Sequence, residues 1–135
     1  MPIVYSNVGE IAALTGFVTQ ISGATLRLFQ NDFTPTVSNA HTASNYTESN
    51  FTGYSAIALD QGWGSVTTDG DGKASVSYSQ EVEYAIGSSQ TCYGYYVTDT
   101  SGDVLFSERF DTHKDFVDGE TFSMTPTLSF RSENG

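Results

Sequence analysis

The groups from which chemistry could be built are two histidines, one cysteine and sixteen carboxylates. His113 is set in "DTHKD", where an extended backbone puts Asp111, His113 and Asp115 on one face. An imidazole between two carboxylates could begin a divalent-cation site, but no fourth ligand accompanies it, and an exposed acidic loop is the simpler reading. His41 lies in a polar Ser/Thr/Asn connection and reads as solvent-exposed. "DGDG", Asp69 to Gly72, has the start of a calcium loop, but Gln80 and Glu81 stand at the wrong offset for its bidentate glutamate. That segment reads as a tight turn. Glu81 and Glu83 share one strand face instead of facing each other across a cleft, as glycosidase carboxylates must. Neither a Gly-x-Ser-x-Gly elbow nor a phosphate-cradling glycine loop is present. The expectation is a non-enzyme with no catalytic residue, cofactor or metal.

The other chemistry-bearing side chains are aromatic. In "CYGYYVTDTSGDVLFSERFD", Cys92 to Asp111, alternation puts Tyr93, Tyr95 and Val97 on one face and Gly94 and Tyr96 on the other. Tyrosine has an apolar body and a polar tip, so it suits the rim of a core or of an interface. The preferred reading is a core rimmed by tyrosine hydroxyls. The alternative is a binding face for carbohydrate or protein built from Trp63, Tyr93, Tyr95 and Tyr96. Glu108 and Arg109 are expected to form ion pairs with neighbours.

These residues need elements to hold them. "NVGEIAALTGFVTQIS" places Val8, Ile11, Leu14, Val18 and Ile21 three and four apart, which predicts an amphipathic helix with a capping box from Asn7 to Glu10. Beyond Gly23 the period falls to two. "ATLRLFQ", "GYSAIALD", "WGSVTT", "ASVSYSQEVEYAI", "TCYGYYVTD", "VLFSERF" and "TFSMTPTLSFRS" read as about seven strands divided by turns. Pro126 predicts that the last is an edge strand or broken there. The fold class expected is mainly β, an antiparallel sandwich or open barrel behind one N-terminal α-helix. The chain reads as a single domain, residues 1–135: an arm and helix over 1–22, a sandwich over 23–131 and a tail over 132–135. "DTHKDFVDGE" reads as a loop.

Composition narrows the partners. Sixteen acidic residues against five basic ones give a net charge of −11. Five scattered cations cannot build the basic stripe that a phosphate backbone needs, so no nucleic acid is expected. No apolar run approaches the length of a membrane span, and no signal peptide is visible, so folding in a cytoplasm is expected. The sequons at Asn45 and Asn50 then carry no weight. The lone Cys92 reads as a thiol packed in a strand.

Several runs occur together in order: "SNVGEIAALTGFV", "LRLFQNDFTPT", "YTESNFTGYSAIAL", Trp63, "YGYYVTDTSGDVLFSERFD" and "TPTLSF". In these the chain resembles a family of small virion-structural proteins of tailed bacteriophages, from Asn7 to Phe130. "DFVDGETFSM" departs from the pattern. The resemblance implies a β-rich accessory protein of the virion, and the reading chosen within it is a capsid decoration, or cement, protein on the outer shell, made in the host cytoplasm. Its expected partners are the major capsid protein and further copies of itself, with a trimer favoured. Val4, Tyr5, Val8, Ile11, Leu14 and Val18 are the residues expected to contact neighbouring chains. A tail-associated receptor- or glycan-binding module is the alternative.

Overall fold

The computed structural model describes residues 6–21, 23–36 and 42–130. Val4, Tyr5, His41 and the tail 132–135 lie outside them. Among the described residues the chain is mainly β, with one N-terminal helix and nine short strands in antiparallel sheets, as the period-two pattern predicts; no barrel closes. The fold divides into two compact units. Residues 1–22, 60–81 and 124–135 form one, and residues 23–59 and 82–123 form the other. Each draws on separate stretches of sequence, so neither is one continuous piece of chain.

In the first unit, helix α1 (Asn7–Gln20) packs on a three-stranded sheet. Its strands are β3 (Thr67–Thr68), β4 (Ala74–Ser77) and β9 (Thr127–Phe130), with β4 central. The helix starts one residue earlier than the sequence suggests, because Ser6 and not Asn7 is the N-cap. The Ser6 hydroxyl accepts the Gly9 amide at 3.2 Å, satisfying one of the free donors at the helix start. The spacing then does what it predicts. Leu14 is buried against Ala74 and Val76, with Ile11, Phe17, Val18, Trp63 and Leu128 packed around them. Thr15 and Thr19 turn outward and donate their hydroxyls to the carbonyls of Ile11 and Thr15, at 2.7 and 2.8 Å. Gly16 lies on this exposed side, and a Cβ there would meet nothing within 4 Å.

The second unit holds a four-stranded sheet in the order β2 (Ile57–Ala58), β1 (Thr25–Phe29), β6 (Gln90–Thr98), β7 (Val104–Phe116). A two-stranded sheet of β5 (Val82–Ala85) and β8 (Thr121–Met124) accompanies it. Aromatic rings join the two in sandwich fashion. Phe122 of β8 lies 5.8 Å from Phe110 and 5.2 Å from Phe116, while Tyr84 of β5 stacks on Tyr54 at 5.7 Å. Leu26, Leu28, Tyr95 and Val97 line the same inner face and are buried.

Strand boundaries differ from the sequence reading in two places, and the break expected at Pro126 is present. "ASVSYSQEVEYAI" is two strands, β4 and β5, in different sheets. The last alternation breaks at Pro126, giving β8 and β9, and the Pro126 carbonyl accepts the Tyr78 amide at 2.8 Å. "DTHKD" is no loop, since β7 runs through it to Phe116. The two tight turns share one device. Asp69 Oδ1 accepts the amides of Asp71 and Lys73, and Asp99 Oδ1 accepts those of Ser101 and Asp103, all at 2.9–3.0 Å. Gly72 and Gly102 close them at φ +78° and +89°, where a side chain would be strained. "DGDG" is therefore a hairpin turn whose first carboxylate is used by its own backbone.

The helix yields a paired expectation. Leu14→Ala should lower unfolding free energy by about 2–5 kcal/mol, as a cavity-forming change does. Gly16→Ala should raise it by about 0.5–1 kcal/mol, because the helix interior gains a better former and nothing obstructs the methyl group. Urea denaturation of both variants checks this.

Candidate functional site

The outer face of the β1–β6–β7 sheet carries Tyr96 and Arg109, with Tyr93 packed beside them. Its geometry begins with a register jump. Cys92 pairs with Lys114, but Gly94 pairs with Arg109, so two steps along β6 correspond to five along β7 (92 to 94 against 114 to 109). A second irregularity follows where Val97 pairs with Phe106 and Thr98 with Val104. Such bulges bend the strand and re-aim its side chains.

Gly94 permits the jump by having no side chain. A Cβ there would collide with the Glu108 carbonyl, and would lie 2.8 Å from Phe29 Cε1 and 2.9 Å from Arg109 Cα. With that space open, Phe29 is fully buried over the strand and nucleates an aromatic cluster. Tyr46, supplied by the segment after the short 3-10 turn Ala43–Asn45, stacks on Tyr96 at 4.4 Å and 12°. It meets Phe29 and Phe33 edge-on, each at 5.0 Å, and donates its hydroxyl to Ser107 Oγ at 2.7 Å.

Two arginines fasten the polar connection to this face. Arg27 Nη1 donates to both Glu48 carboxylate oxygens at 3.1 Å, and its Nε donates to Thr98 Oγ1 at 3.1 Å. Arg109 pairs with Asp32 at 2.6 Å and donates to the Phe33 carbonyl at 3.1 Å. Its guanidinium also lies 5.1 Å from the centre of the Tyr93 ring. Tyr54 completes the Glu48 side: its hydroxyl donates to Glu48 at 2.6 Å and accepts the Leu28 amide at 3.2 Å. That amide would otherwise fall in the gap between the Phe29–Glu48 bridge and β2. The Glu108–Arg109 expectation is met on the arginine side, through Asp32 from the connection.

The phenols and the thiol of this unit are held neutral. Burial, joined by the nearby Glu48 carboxylate, pushes the Tyr96 phenol up to about 12. Burial also raises Tyr46, Tyr54, Tyr84 and Tyr95, aided for Tyr54 by Glu48 and for Tyr95 by Glu108. The Cys92 thiol is fully buried, donates to the Gly94 carbonyl at 3.4 Å, and is pushed up to about 11 by desolvation. A thiol held protonated is a poor nucleophile.

The sequence-derived sites fare unevenly. The aromatic quartet does not form one face. Tyr95 lies on the inner side and Tyr96 on the outer, both buried, and Tyr93 packs with the Tyr96 cluster beneath Arg109. Trp63 belongs to the other unit and packs edge-on against Tyr78 at 5.4 Å. Leu14, expected to contact a neighbouring chain, is instead 4% exposed in its own chain's core, and Ile11 and Val18 pack against that core. Val8 alone of the described stripe stands out, at 77% exposure. His113 Nε2 lies 3.6 Å from Asp115 Oδ1, but Asp111 falls in the unpaired stretch of the bulge. Among the described residues no three His, Cys, Asp or Glu side chains come close enough to hold a metal ion. The clasp built by Arg27, Glu48 and Tyr54 on β1 escaped sequence reasoning, because partners 21 positions apart (Arg27 and Glu48) and 26 apart (Leu28 and Tyr54) leave no periodic signal.

Compared with known protein families, curated proteins and solved structures, the chain matches none. The resemblance to phage virion proteins thus rests on the quoted sequence runs alone.

Two measurements probe this face. Glu48→Ala should cost about 2 kcal/mol of unfolding free energy, since it strands Arg27 and removes the Tyr54 acceptor in a half-buried site; Glu48→Gln, which keeps a hydrogen-bonding partner, should cost less. In a spectrophotometric titration, Tyr46, Tyr54, Tyr84, Tyr95 and Tyr96 should stay protonated past pH 10 while the chain is folded. The unfolded chain releases those protons near pH 10. Stability should therefore be intact below that pH and be lost as pH rises toward the folded-state values.

Proposed function

We propose that the chain is a non-catalytic decoration protein of a virus shell, adding to the outer surface of a major capsid protein lattice and stabilising it by binding only the assembled form. The observation that carries this reading is Val8. It is a large apolar residue 77% exposed on a helix whose other hydrophobic positions are absorbed by the chain's own core. Beside it the outward helix face carries Ala12, Thr15, Gly16 and Thr19, without a charge, in a chain of net charge −11. Like-charged copies and a shell can approach such a face with the least repulsion. Val8, with Val4 and Tyr5 just before it in sequence, is the assigned contact. A trimer seated at threefold positions of the lattice is the assembly proposed.

Burial holds the Tyr46, Tyr54, Tyr84, Tyr95 and Tyr96 phenols and the Cys92 thiol in their protonated forms, so none of these groups is an activated nucleophile or base. Sugar recognition gains no support from the geometry, because Tyr95 and Tyr96 are buried and Tyr93 is packed beneath Arg109.

Quantitative mass spectrometry of purified particles from the source that encodes the chain tests the proposal. One copy per shell subunit, or one per few, is the expected ratio. A handful of copies per particle would move the chain to the tail, and absence from the particles would overturn the proposal. Sedimentation of the isolated protein should give the mass of three chains; a monomer at high concentration would remove the trimer.

A further inference from the structure

We draw no further inference here: the strongest candidate, the outer edge of β7 with the open groove of about 480 Å³ that Pro35, Thr36, Val104 and Arg109 help to line beside it, carries none because nothing in the structure shows what covers it.

Discussion

The close approach of Phe29 and the β7 backbone to Gly94 governs the second unit. Because β6 has no side chain at that position, the Glu108 carbonyl and the Phe29 ring both come nearer than a Cβ would allow. β7 then pairs through Arg109 and, after an excursion, resumes at Lys114. The buried Phe29 ring supports the Tyr46–Tyr96 stack, which holds the segment after residue 42 against the sheet. Arg109, brought to the outer face by the same register, pairs with Asp32 near the start of the connection, while Arg27 pairs with Glu48 near its end. The described parts of this polar stretch, residues 31–36 and 42–50, are thus held by one stack and two charged clasps. Either kind of contact alone is modest; several sharing one rigid sheet face are worth more, because the arginines and Tyr96 are already positioned.

The two units differ in how they answer the same problem. An amphipathic helix closes the three-stranded sheet by burying Leu14 on Ala74 and Val76. Rings from β5, β7 and β8 close the inner face of the four-stranded sheet. Tyrosine serves both faces because its hydroxyl can reach a partner at the rim, as with Tyr46 to Ser107 and Tyr54 to Glu48. Five phenols and the thiol are kept in their protonated forms by burial, so the aromatic richness of the sequence reports packing.

What could be read in the sequence was what depends on local period and local turn chemistry. Helix spacing identified Leu14, Ile11 and Val18 as one face, and alternation identified the strands at "ATLRLFQ" and "TCYGYYVTD" and the shared face of Tyr95 and Val97. It did not say what the helix face would cover, so Leu14 was expected at a neighbouring chain and is found in its own core. Ladder ends were equally hidden. Residues 74–86 alternate except at Gln80, yet β4 and β5 lie in different sheets, because period fixes faces and leaves partners open. The bulge defeated the aromatic face for the same reason. Strict alternation separates Tyr93 from Tyr96, whereas the register jump packs them in one cluster. The arginine clasps depend on contacts far apart in sequence, and only the assembled sheet shows them.

If Gly94 is the constraint on which this face depends, a single methyl group there should be intolerable. Equilibrium denaturation of Gly94→Ala measures it directly. The account predicts a loss of about 2–3 kcal/mol or more, with the Cys92 thiol becoming open to modification as β6 and β7 separate. A variant within about 0.5 kcal/mol of the parent, with Cys92 still protected, would contradict it.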